Sequence, residues 1–233
     1  MEQALIFFEK SLQIGRNLGD DTKIAWSLGN IGSAHICLGN CDSAIPLLLS
    51  AKAIFEQIKA LIGVVFCLEE LGLIALFRGE FDRAQTLADQ AENLALDAGL
   101  SLDFHQRPTA LKGMSRLMKG DLTRAITCFQ DIETAGTPGL TTCLGTGFVS
   151  IVNQDACRAA FYEKKAKHLT KSVHKPQFIA LSYLLQEAIF LQNKDKAAAA
   201  SKLDLAMNAP LSPSKLFNAW PFADSLICQI RQV

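Results

Sequence analysis

An all-α fold, a right-handed superhelix (α-solenoid) of antiparallel helix hairpins, is what this 233-residue sequence predicts. Three observations predict it: a motif recurs at a steady interval, apolar residues fall at helical rather than alternating spacing, and helix breakers cluster between the periodic stretches. The motif is a small residue, a turn residue seven positions on, and an alanine five beyond that. It reads Gly32–Gly39–Ala44, Gly72–Gly79–Ala84, Gly113–Gly120–Ala125 and Gly147–Gln154–Ala159, at intervals of 40, 41 and 34 residues. A fixed period of this length marks a helical repeat array. A small residue lets two helices cross closely, and a glycine between them accepts the left-handed conformation that ends the first.

Composition agrees. Hydrophobic residues make up 49% of the chain, enough for a continuous core, and prolines number only seven. A formal net charge of zero argues against direct nucleic-acid binding or a polyanionic partner. The charge is uneven: residues 1–135 carry 12 basic against 17 acidic groups, and residues 136–233 carry 11 against 6. The two halves, or head-to-tail copies, are electrically complementary. Met1 to Lys10 mixes Glu2, Glu9 and Lys10 with apolar residues and is no secretion signal. The most apolar run, Leu61 to Phe77, carries Glu69 and Glu70 at its centre, which fits a buried helix and not a bilayer span. Seven cysteines, an odd count placed mostly in helical patterns, point to reduced thiols and a cytoplasmic setting.

The elements follow in order. Residues 2–18 form an amphipathic helix with Ala4, Phe8 and Leu12 on one side. Ala4 lies 40 residues before Ala44, so residues 2–20 are a half repeat whose first helix is missing, and the chain is expected to be a piece of a longer array. Leu5 to Phe8 would make a poor polar cap, and predicts self-association through this helix or contact with upstream domains. Repeats are expected at about 23–61, 62–100, 101–140, 141–175 and 176–210, with a C-terminal helix at 212–231 kinked by Pro221. Pro46 and Pro108 are placed in the first turns of helices starting near 42 and 108, where a missing N–H costs little. Gly99 to Gln106 is read as a longer link. The fifth hairpin, 176–191 and 195–208, turns at Asn193-Lys194, and its alanine run Ala197–Ala200 leaves the register open.

The small residue, the turn seven on and the alanine five beyond resemble the tetratricopeptide repeat position for position. The match is good over 23–98, fair over 108–135 and weak over 141–208. It departs from the family in lacking most of the usual Trp and Tyr of the first helix, and in early repeats of about 40 residues rather than 34. The phrase IGRNLGDDTKIAWSLGNIGSAHICLGN is similar in style to the repeats at the C-terminal ends of large bacterial LuxR-type and MalT-like regulators and signalling ATPases. The resemblance implies a concave groove lined by the first helices. Positions three before, one after and four after the small residue then face it. The binding residues so implied are Ser33, Glu69, Leu73, Leu76, Met114, Leu117, Phe148, Tyr183 and Glu187, the last two from aligning Gln186 with the small residue. Such a groove is apolar with two carboxylates, and suits an amphipathic helix or a hydrophobic peptide. For any single apolar position core packing is the simpler reading. For Glu69, a carboxylate inside an apolar helix, a salt bridge to a neighbouring helix is the simpler one. The Lys and Asn of the family's two-carboxylate clamp are missing from these positions, so a chaperone tail is not the expected partner.

A second feature is a basic face at Lys164, Lys167, Lys171 and Lys175, with Phe161, Ala166, Leu169 and Val173 expected to face elsewhere. It reads as a solvated outer face, or as a contact for an acidic partner. No phosphate-binding GxxxxGK[ST], dinucleotide-binding GxGxxG or zinc-type ligand spacing occurs, and no nucleophile has a visible base. No cofactor, metal or catalytic residue is expected. The functional expectation is a non-catalytic module that binds a peptide or partner domain, as part of a larger signalling or transcription-regulatory protein. The alternatives are a small-molecule inducer sensor and, least favoured, a helical-toroid enzyme.

Overall fold

The computed structural model describes residues 2–101, 103–135, 138–171, 176–193 and 195–207. They form eleven helices and, among the described residues, no strand. In order these are α1 (Glu2–Leu18), α2 (Asp21–Cys37), α3 (Cys41–Gln57), α4 (Leu61–Phe77), α5 (Phe81–Asp97), α6 (Asp103–Met118), α7 (Leu122–Ala135), α8 (Leu140–Val152), α9 (Ala156–Thr170), α10 (Pro176–Gln192) and α11 (Lys196–Met207). The expected C-terminal helix at 212–231 lies outside the described residues.

The rhythm comes from one turn used repeatedly. Each of α1 to α5 has 17 residues. After α2, Gly39 N–H donates to Ile36 O (3.0 Å) and Asn40 N–H to His35 O (2.8 Å), a Schellman closure with Gly39 left-handed at φ 83°. The same pair of bonds follows α1, α3, α4, α5, α6 and α8, with left-handed residues Gly19, Lys59, Gly79, Gly99, Gly120 and Gln154. Except after Gly99, where α6 starts only at Asp103, the residue after the left-handed one heads the next helix. Asp20, Asp155 and Asp195 each accept a hydrogen bond from the backbone N–H three residues on, at 2.9, 2.9 and 3.0 Å. One residue thus closes one helix and caps the next, which fixes the hairpin angle within three residues. Lys59 has no glycine to announce it, so the link between α3 and α4 was less visible in the sequence than the turns that carry one.

The first helices of the hairpins, α2, α4, α6, α8 and α10, pack on one another in succession, and the second helices flank them. The alanine of each second helix is fully buried where it meets its partner: Ala44, Ala84, Ala125 and Ala159 have no exposed surface. The small residues of the first helices do the complementary job. A Cβ on Gly32 would fall 2.9 Å from Leu48 Cγ, and one on Gly113 2.7 Å from Phe129 Cε1, both in the same hairpin. Gly72 and Gly147 make their closest approach to the next repeat, 2.5 Å from Leu111 Cδ2 and from Leu185 Cδ2. The small position therefore serves packing between repeats as well as within them.

Three details differ from the sequence expectation. α6 begins at Asp103, so Pro108 is its sixth residue and the link after α5 is short; α3 begins at Cys41, which makes Pro46 its sixth residue too. Each proline lies just past the first turn and forgoes one bond, to the carbonyl of Phe104 or Asp42. In the fifth hairpin the Asp195 cap puts Ala199, 2% exposed, at the alanine position. Counting back twelve residues places Glu187, rather than Gln186, where the earlier repeats have glycine.

Candidate functional site

The first-helix layer is more closed than a simple groove. Leu73, Leu76, Met114, Leu117 and Phe148 are all buried in one continuous core that runs from α4 to α10. α4 and α8 are covered on nearly every side, because each has a first helix before and after it and second helices on its flank. Ser33 and Tyr183 are half-buried, and Glu69 and Glu187 are buried.

Glu69 and Glu70 share one cation. Arg107 of α6 places Nη1 3.0 Å from Glu69 Oε2 and Nη2 3.4 Å from Glu70 Oε1. The expected salt bridge to a neighbouring helix is present. The carboxylates are buried, but the Arg107 side chain is 55% exposed, so the cluster reaches the surface through its guanidinium. A guanidinium is less strongly hydrated than an ammonium and presents a fixed fork to two acceptors, which suits this position.

Two aromatic residues extend the surface. Trp26 of α2 packs edge-on against Phe55 with ring centroids 4.9 Å apart, and tilted against Phe66 of α4 at 5.7 Å. The Trp26 side chain still leaves 36% of the residue exposed. Trp26, Phe66 and Arg107 all lie six residues before the small residue of their helix, one step further along the stripe that carries Glu69. The sequence reading stopped one step short of them, although the three-to-four-residue spacing was the available signal.

Farther along, Lys202 of α11 lies over the Tyr183 ring, 5.7 Å from its centroid. Burial pushes the Glu187 carboxyl up to about 7. Lys164 and Lys167 on α9 and Lys171 just after it are exposed, and Lys175 lies outside the described residues. Phe161, expected to face elsewhere, is itself 61% exposed, with its ring 5.1 Å from that of Tyr162.

Burial pushes the Cys67 thiol up to about 12 and the Cys143 thiol up to about 11, which keeps both protonated and weakly nucleophilic at neutral pH. Among the described residues, no three His, Cys, Asp or Glu side chains gather to hold a metal ion. No helix among them is long and apolar enough to cross a membrane.

The tetratricopeptide repeat family matches residues 1–57, which are α1 to α3. The remaining hairpins continue the turn geometry and alanine packing of that segment. The chain folds as a tetratricopeptide-like solenoid. No curated protein matches its sequence. Solved structures resemble the array over most of its length, two of them as follows. The crystal structure of BtubC (BKLC) from P. vanneervenii has 14% identity and a TM-score of 0.59, covering 89% of this chain and 90% of its own. The Rap conjugation gene regulator of plasmid pLS20, solved in complex with the Phr* peptide, has 17% identity and a TM-score of 0.66, covering 98% of this chain and 69% of its own. At these identities the likeness is one of fold.

Proposed function

We propose that this array is a non-catalytic interaction module that takes a peptide or a segment of a partner domain across its first-helix layer. The contact surface is the Trp26–Phe66 shelf and the adjoining Glu69–Glu70–Arg107 cluster. Ser33 extends it along the array and Leu73, Leu76, Met114, Leu117 and Phe148 pack beneath it, whereas the one-residue shift of register takes Tyr183 and Glu187 off the groove positions. The observation that carries the reading is the half-open aromatic step in an otherwise closed layer. An exposed tryptophan edge offers a large contact area at low conformational cost, and a guanidinium beside it orients polar groups of a ligand. Carboxylates and a guanidinium beside an aromatic shelf favour a peptide with a basic or amide-rich segment next to an apolar anchor.

The peptide bound by the Rap regulator of similar fold supports a peptide ligand here, in a cytoplasmic signalling or transcription-regulatory setting. The exposed Lys164–Lys167–Lys171 face is a second contact, for an acidic partner domain. Selecting peptides from a displayed library on the immobilised chain tests the proposal. Enrichment of a family with an aromatic or aliphatic anchor and a basic neighbour is expected. If nothing is enriched, or if the enriched peptides bind Trp26→Ala as tightly as wild type, the proposal fails.

A further inference from the structure

The repeat register exposes a substitution whose consequence is chemical. Between α5 and α6, Lys112 forms an ammonium site. Its Nζ is bound to Glu92 Oε2 and lies 3.1 Å from Asp89 Oδ1, with only 12% of its side chain exposed. Thr109 adds a hydrogen bond to Glu92 Oε1 at 2.8 Å. Burial favours the neutral acid, but the hydrogen bonds from Lys112 and Thr109 outweigh it and hold the Glu92 carboxyl below its usual range.

The next interface, between α7 and α8, keeps one carboxylate, has an amide in place of the other, and has no lysine at the position of Lys112. Offsets of 41 residues on the second helix and 34 on the first convert Asp89, Glu92 and Lys112 into Gln130, Glu133 and Thr146. Where the lysine stood, the structure has a cleft of about 80 Å³ lined by Gln130, Glu133, Thr146, Ser150, Asn153 and neighbouring groups. One water needs about 10–15 Å³ by the same kind of measure, so the space holds a short alkyl chain with its head group. Thr146 is 3% exposed, and its Oγ1 has no hydrogen-bond partner; nor does Glu133 Oε1. Arg158 occupies the other oxygen, with Nη2 2.8 Å from Glu133 Oε2. Burial, then a hydrogen bond from its hydroxyl to the Glu133 carboxylate and the charge of that group, push the Tyr162 phenol up to about 12, so the phenol stays protonated and shares Glu133 with Arg158. Counting Asp155 at the mouth, the lining carries two carboxylates against one guanidinium.

We infer that the α7–α8 cleft is a binding site for a primary alkylammonium group, held by Glu133 Oε1, Thr146 Oγ1 and Gln130 in the place that Lys112 fills one repeat earlier. The geometry stands apart from the first-helix surface described above. A small free amine and the lysine side chain of a bound peptide offer the same head group, and the test separates them. Methyl-labelled full chain is titrated with n-propylammonium chloride and with Nα-acetyl-lysine N-methylamide, and the Val149 methyl signals at the cleft are followed. n-Propanol and the Nε-acetylated lysine derivative serve as neutral controls. A saturable shift is expected from at least one amine, at least tenfold weaker with the controls and in Glu133→Gln. Response to the propylammonium alone assigns a free amine, and response to the lysine derivative alone assigns a peptide side chain. Thr146→Lys should abolish the shift and raise the melting temperature, because the ammonium is then supplied from within. An absent or non-saturable shift with both amines, equal response to the neutral controls, or undiminished binding in folded Glu133→Gln or Thr146→Lys would overturn the inference.

Discussion

Gly145→Ala is the sharpest test of how the repeats pack. Gly145 lies on α8 against the ring of Phe129 from α7, which is 2% exposed. An added Cβ would stand 2.1 Å from Cζ, 2.5 Å from Cε1 and 2.7 Å from Cε2. Carbon pairs rest at about 3.5–4.0 Å, so the ring must withdraw by about 1.4 Å. It has little room to do so, because Gly113 already holds the same ring: a Cβ there would lie 2.7 Å from Cε1 and 2.8 Å from Cζ. Overpacking of this kind costs about 1–3 kcal/mol, and a ring held from two sides belongs at the upper end. Alanine returns about 1 kcal/mol of helix propensity. The net loss is about 1–2 kcal/mol, a fall of about 2–8 °C in melting temperature for a chain of this size. Urea denaturation followed by circular dichroism measures it. Gly139→Ala, at a cap with φ −73° and nothing within 4 Å, should be close to neutral. Adding Phe129→Leu should recover part of the loss by freeing the space. If Gly145→Ala alone proves as stable as wild type, or more stable, helix propensity has acted unopposed and the interlock reasoning is wrong.

Lys59→Gly should raise stability by about 0.5–1 kcal/mol, since a left-handed lysine costs more than the extra chain entropy of glycine; Lys59→Ala should give no gain, and the urea midpoint distinguishes them. Arg107→Ala should cost about 1–2 kcal/mol, less than the loss of a fully buried partner because the guanidinium is more than half exposed; the same midpoint reads it. Burial holds the Glu187 carboxyl up to about 7 against an ordinary value of 4.5, so the native state keeps a proton that the unfolded chain has shed. Stability should therefore fall as pH rises from about 4.5 to 7 and level off above, by at most about 3 kcal/mol. Glu187→Gln should remove that slope, and a pH series of melts on both proteins checks it.

The repeat frame was legible because it is written in residue types that sterics leave little choice over. Glycines at the turns, alanines at the crossings and the Glu69–Glu70 pair inside an apolar helix each forced a reading that the fold bears out. What escaped had a physical reason. Lys59 takes the left-handed turn without glycine, held by the same two Schellman bonds, and no residue type signals that; Gln154, also without glycine, was placed at its turn only by the repeat spacing. Arg107 fell between the stretch read as a link, Gly99 to Gln106, and Pro108, which was taken for a helix start; the helix instead starts at Asp103, tolerates one missing bond and brings Arg107 onto the layer. In the fifth repeat the small-residue position falls on Glu187 rather than Gln186, and the Ala197–Ala200 run hid the shift of one residue. The depth of burial at Leu73, Met114 and Phe148 depends on how tightly successive first helices close, which no single helix pattern encodes.

The central claim is that a peptide binds across the first-helix layer. The most direct measurement is the affinity of one library-selected peptide for wild type, Trp26→Ala, Arg107→Ala and the triple variant Lys164→Glu/Lys167→Glu/Lys171→Glu. The account expects at least tenfold weaker binding in each of the first two variants and wild-type binding in the triple variant. Loss of binding confined to the triple variant would place the ligand on the outer face of α9 and contradict the account.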